Sequence, residues 1–200
     1  MGAKLVPLVA VLTVGTGLCA SAQAAPSEPL SQLQRSLAPS GFGWFEARPA
    51  PSGWKRLAFP SSGAFLSYPS SLESIRHDNA SIAVGGRDRS GRIWVYLNVT
   101  PKQGDETLAD WPAFRLQHDR GETNAVHEDA RAYGLTFIGG MGSCVADHYL
   151  TRVVVHAYRE IACFVQGRTK ASVIVAAALV SDWPRAATLL ERAVEAYQVT

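Results

Sequence analysis

Apolar and polar residues alternate along the middle of this chain and then fall into a helical period, which divides it into elements. Ala64 to Tyr68, Ser81 to Gly85 and Ile93 to Thr100 read as strands, and the loop Gly86-Arg87-Asp88-Arg89-Ser90-Gly91 joins the last two as a hairpin. In the third of these, Ile93, Val95, Leu97 and Val99 alternate with Trp94, Tyr96 and Asn98. One face is therefore aliphatic and belongs to the core, and the other is aromatic and polar. The period then becomes helical: Leu108, Trp111, Arg115 and His118 share a sector, predicting a helix from about Asp110 to Arg120 with Thr107 or Asp110 as its cap. Pro112 fits its first turn.

Strands are predicted again over Gly134 to Ile138, Cys144 to Thr151 and Tyr158 to Gln166. Ser172 to Val180 is almost continuously apolar, the mark of a strand covered on both faces and hence central. The closing helix follows Ser181 or Asp182 as cap. Its apolar stripe is Ala186, Leu189, Leu190, Ala193, Val194 and Tyr197, with Arg185, Glu191, Arg192 and Glu195 toward water. Strands in succession with two helices interposed predict an α+β fold, an antiparallel sheet covered by helices.

Ahead of this domain, expected over residues 53–200, lie two segments of different character. Residues 1–24 read as a secretory signal peptide, with Lys4 before the 14-residue apolar stretch Leu5 to Leu18 and a small-residue cleavage site at Ala22-Gln23-Ala24. That stretch covers about 21 Å as a helix, short of a hydrocarbon core of roughly 30 Å, so no transmembrane segment is expected in the mature chain. Cys19 follows Leu18, where a lipobox carries a small residue, so it is read as leaving with the leader and not as a lipid anchor. Residues 25–52 carry Pro26, Pro29, Pro39, Pro49 and Pro51 and the run Gly41-Phe42-Gly43, and read as a Pro/Gly-rich arm. The expected location is secreted or periplasmic.

Export changes the cysteine arithmetic. Of the three cysteines, Cys144 and Cys163 remain, in an oxidising compartment, and a disulfide is expected. If their segments form an antiparallel hairpin with its bend at Arg152 to Val155, the two lie opposite one another. The rival reading makes Cys144 the nucleophile of a thiol hydrolase or redox enzyme.

Composition narrows the function classes. The 200 residues are 47% hydrophobic and 18% charged with a net charge of +2, which excludes intrinsic disorder and argues against a nucleic-acid partner. No serine-hydrolase elbow surrounds Ser143, where Met141 occupies the first glycine position, and the Gly85 to Gly91 loop lacks the Lys-Ser/Thr of a phosphate loop, so no catalytic residue and no cofactor is assigned. The histidines His77, His118, His127, His148 and His156 lack metal-ligand spacing, and no metal is assigned. Asp147-His148 and His127-Glu128-Asp129 are read as solvated strand and loop residues. Arg87, Arg89 and Arg92 make a basic hairpin tip. Trp94 and Tyr96, on the aromatic face, are the candidate binding face.

The order of elements resembles a known family. A leading strand Phe65-Leu66-Ser67-Tyr68-Pro69, a hairpin ending in Val95-Tyr96-Leu97-Asn98-Val99, a helix introduced by Glu106-Thr107-Leu108, two long strands and a closing helix look like the PsbP-like α/β/α sandwich, which includes secreted bacterial proteins of the LpqN type. Gly142-Ser143-Cys144 and Glu160-Ile161-Ala162-Cys163 look like a feature of the secreted bacterial members. The resemblance implies an exported, non-enzymatic module of the bacterial cell envelope that contacts a protein, lipid or glycolipid partner.

Overall fold

A computed structural model of the protein describes residues 41–200. The segment read as a signal peptide, Cys19 and the first part of the arm lie outside the described residues.

Among the described residues ten strands form two antiparallel sheets. The larger has seven strands in the order β3 (Glu73–His77), β4 (Ile82–Arg87), β5 (Ile93–Pro101), β9 (Ala171–Leu179), β8 (Ala157–Gln166), β7 (Gly140–Leu150) and β6 (Ala125–Phe137). The smaller joins β1 (Lys55–Phe59), β2 (Ala64–Tyr68) and β10 (Gln198–Val199). The apolar run in β9 accordingly occupies the middle of the seven strands, where both faces are covered.

Among the described residues two α-helices cover the large sheet on opposite faces. Helix α1 (Trp111–Glu122) packs Trp111 and Leu116 on Val145, Ala162, Phe164, Val173, Val175 and Ala177. Its capping differs from expectation: the Asp110 carboxylate accepts the Thr107 N–H at 2.6 Å and caps no amide within the helix. Helix α2 (Trp183–Glu195) lies on the other face with the small sheet. Ala186, Leu190, Ala193 and Val194 of its stripe meet Val95, Leu97, Ile174 and Ala176 there. The chain is thus an α+β sandwich, a seven-stranded antiparallel sheet between helical layers.

Glu195 is buried, not turned to water. Arg48 reaches it from the last part of the arm, donating from Nε to Oε2 at 2.8 Å and from Nη2 to Oε1 at 3.0 Å. Phe45 packs against Phe137 with the rings tilted, their centroids 4.7 Å apart. Residues 41–52 therefore lie on the domain through aromatic packing and a charge-assisted fork.

The β6–β7 hairpin turns at Ile138-Gly139, where Gly139 has φ +87° and the place of a Cβ is taken by the Val199 carbonyl. A side chain there would be both strained and sterically blocked. Beyond this turn, β7 and β8 pair in one unbroken register from Met141 opposite Gln166 to Leu150 opposite Ala157.

Candidate functional site

The β7–β8 ladder determines where the chemistry sits, because side chains of successive residues point to opposite faces. Cys144 and Cys163 face each other across it with Cα atoms 4.1 Å apart, and their sulfurs are bonded. Both are fully buried on the α2 face.

Three rungs along, Asp147 opposes Glu160 on the α1 face, and both are completely buried. Helix α1 brings Arg115 and Asp119, one turn apart, down onto this pair. The Arg115 guanidinium reaches Glu160 Oε1 at 2.7 Å and Asp119 Oδ2 at 3.1 Å. Asp119, Asp147 and Glu160 place carboxylate oxygens within 4.8 Å of one another. Both oxygens of Asp147 lack a hydrogen-bond partner.

Three carboxyls around one guanidinium cannot all ionise in a dry interior at low cost. Burial pushes Asp119 up to about 7, with the Glu160 charge adding to the rise and Arg115 opposing it. Burial first, and then Glu160 and Asp119, hold Asp147 well above the carboxylate range. The arrangement can store protons, and its converging oxygens are also the group among the described residues able to take a cation.

Tyrosines close the cluster on one side. Tyr96 and Tyr149 share a hydroxyl–hydroxyl hydrogen bond of 3.2 Å, and Tyr158 packs against both rings. Burial raises the Tyr96 and Tyr149 hydroxyls above their ordinary range, so both stay neutral donors. On the other side Arg115 borders a cleft of about 160 Å³ lined also by Thr100, Gln103, Trp111, Phe114 and His118. Glu106 shapes its rim by accepting the Gln103 and Gly104 amides, each at 2.8 Å.

A second polar group occupies the α2 face one rung away. His148 and Arg159 oppose each other there, and Asp129 engages both, at 2.9 Å to His148 Nδ1 and 3.0 Å to Arg159 Nε. Asp129 is the extra residue of a bulge between Glu128 and Ala130, which aims its carboxylate across the ladder. His127 stacks on His148 at 5.1 Å, and the Arg159 guanidinium lies 4.7 Å from the Trp183 ring centroid. Asp147, His148 and Asp129 are read from sequence as solvated; Asp147 and His148 are buried because β7 is covered on both faces, and Asp129 is nearly so because the bulge lays its carboxylate against His148 and Arg159.

Trp94 and Tyr96 do not share a face. The β4–β5 ladder pairs Gly86 with Val95 and Arg87 with Ile93, leaving Trp94 as the extra residue of a bulge. The bulge turns Trp94 to the α2 side, where the Arg185 guanidinium lies 3.9 Å from its ring centroid. Tyr96 stays on the α1 side beside the acids. The sequence alone leaves Arg115 and Asp119 unassigned. Their signal is the i, i+4 spacing on the stripe that begins with Trp111, an inner face carrying opposite charges.

No family model matches the chain, and no curated protein does. Solved structures of similar architecture exist. A cyanobacterial PsbP from Synechocystis is 15% identical with a TM-score of 0.48, over 76% of this chain and 95% of that one. A protein of unknown function, PA94, from Pseudomonas aeruginosa is 13% identical with a TM-score of 0.47, over 72% and 95% of the two chains. LpqN of Mycobacterium tuberculosis, described as involved in cell envelope biogenesis, is 13% identical with a TM-score of 0.45, over 74% and 90%. Each is a likeness of fold.

Proposed function

We propose that the chain is an exported binding module of the bacterial cell envelope, secreted or periplasmic, that presents the cleft beside α1 to a partner. The observation that carries this reading is the fully buried Cys144–Cys163 bond between β7 and β8 of the large sheet. It is a bond of oxidising compartments, and it occupies the sulfur that a thiol hydrolase or redox enzyme would use. His148, the nearest base in sequence to that sulfur, is engaged by Asp129.

The cleft suits recognition. Trp111 and Phe114 supply apolar and aromatic surface, while Gln103, Arg115 and His118 supply polar edges that orient what enters. Its volume of about 160 Å³ fits a small headgroup or one side chain of a protein partner.

Thiol counting under denaturing conditions on protein recovered from the exported fraction tests the reading. No reactive thiol is expected in the mature chain; two would overturn the staple and restore the thiol-enzyme alternative. Phe114→Ala, at a half-exposed position of the cleft, then separates a binding cleft from a mere surface hollow: loss of partner capture with an unchanged melting temperature is the expected result.

A further inference from the structure

The hairpin joining β7 and β8 ends in three consecutive exposed valines. Val153, Val154 and Val155 are 96%, 61% and 65% exposed. The tip that carries them is built. The Thr151 amide donates to the His156 carbonyl at 3.0 Å, the Thr151 hydroxyl oxygen accepts the His156 amide at 2.9 Å, and that hydroxyl donates to the Val154 carbonyl. Asn124 and Arg152 tie the hairpin to the end of α1, donating to the Thr151 and Thr123 carbonyls at 3.2 and 3.3 Å. Apolar side chains on a braced turn are displayed, whereas a loose turn would fold them inward.

The same end of the sandwich is basic. One row across the sheet runs Gly86, Val95, Ala178, Arg159, His148 and His127, so the β4–β5 tip and the β7–β8 tip both project beyond that row in the same direction. Three strand spacings separate them, about 14 Å. The β4–β5 tip carries Arg87, Arg89 and Arg92, and the valine tip carries Arg152. The acids at the two tips and the turn between them are already engaged: Asp88 with Arg92 at 3.0 Å and Asp182 with Arg185 at 2.6 Å. Among the described residues Arg87, Arg89 and Arg152 have no carboxylate within ion-pair distance.

We infer that this end of the domain docks on an anionic membrane surface, with Val153 to Val155 entering the interface and Arg87, Arg89 and Arg152 meeting lipid phosphates. The tip is convex and its apolar part is three side chains, far less than the roughly 800 Å² per partner of a stable protein interface. It is suited to insertion between headgroups, where apolar area and positive charge act together. No described helix is long and apolar enough to cross a membrane, and attachment of this kind is peripheral. The inference goes beyond the binding-module reading and does not depend on the cleft or on the disulfide.

Sedimentation of the mature chain with vesicles of phosphatidylglycerol in phosphatidylcholine, against pure phosphatidylcholine, tests it. The expected result is partition onto the anionic vesicles that weakens as salt is raised. Arg89→Glu changes this end by two charges without touching a bond that braces either tip and lowers partition about thirtyfold, from about 1 kcal/mol per charge near such a surface. Val154→Asp abolishes partition while the melting temperature stays within a few degrees, since the residue is exposed. Absence of partition, equal partition onto neutral vesicles, or partition indifferent to both variants overturns the inference. So does self-association that Val154→Asp removes in the absence of vesicle binding, which would make the tip a protein contact. Thiol counts are unaffected by any of these outcomes, so failure here is distinguishable from failure of the export reading.

Discussion

Replacing Asp147 by asparagine should change how stability depends on pH, and the size of the change follows from the acid cluster. Asp119 and Asp147 both have folded-state values raised above those of the unfolded chain, Asp119 from 3.8 to about 7. Between the two values the folded state binds more protons than the unfolded one, so stability falls as pH rises. Each such group contributes about 1.4 kcal/mol per pH unit across its window. From pH 5 to 7 Asp119 alone should cost the wild-type protein about 2 kcal/mol, and Asp147, held higher by its burial, adds to the fall, against the roughly 5–15 kcal/mol available to a domain. The amide of Asp147→Asn keeps the shape, removes one titrating group and can donate to the Glu160 oxygen that lacks a partner. The variant should lose less over the same range, keeping only the Asp119 contribution. Above pH 7, with Asp119 ionised, its curve should flatten, while the wild-type curve continues down for as long as Asp147 keeps its proton in the folded state. Urea unfolding at intervals from pH 5 to 8 measures both curves. Parallel curves, or a wild-type protein that gains stability toward pH 8, would refute the assignment of retained protons to this cluster.

Reduction of Cys144–Cys163 reopens a loop of about 20 residues, worth about 3 kcal/mol, and should lower the melting temperature by about 6–12 °C in a calorimetric scan with and without reductant. Gly139→Ala places a methyl group 1.9 Å from the Val199 carbonyl oxygen at φ +87° and should cost at least about 2 kcal/mol in urea unfolding. Leu190→Ala empties a fully buried position beneath α2 and should cost about 2–5 kcal/mol by the same measurement, with the far-ultraviolet circular dichroism of the folded state retained.

Legibility in the sequence follows burial. The β9 run, the α2 stripe and the pairing of the cysteine segments can be read because each is decided by apolar side chains facing a core. Strand β3 cannot, since all five of its residues are exposed and what seats it is its backbone ladder to β4, with Ile75 lying over Gly85. The early part of β6 is polar on both faces and reads as loop, yet it pairs with β7 from Ala125 onward. Strict alternation puts Trp94 on the wrong face because it does not anticipate a bulge. The acid cluster draws Asp119 from a helix and Asp147 and Glu160 from neighbouring strands. Only the tertiary fold brings them together, although a charged residue within the apolar β7 is a local warning.

The order of rungs along β7 and β8 gives the disulfide a role beyond stability. Cys144 opposes Cys163, Asp147 opposes Glu160 facing α1, and His148 opposes Arg159 facing α2, with the exposed valines at the far end. A slip of one residue in β8 would send Glu160 to the α2 face and Arg159 to the α1 face. Arg159 would then meet Arg115, and Asp147 and Asp119 would lose the carboxylate that shares their arginine. Apolar packing opposes this slip weakly at Ala162 and Ala146, whose side chains are small. The buried charges oppose it only once both helices have docked. The disulfide excludes it from the outset, because Cys163 can reach Cys144 in one register. The bond therefore specifies which face receives the acids and which the basic pair, and this is why a staple lies three rungs from a cluster whose burial costs stability.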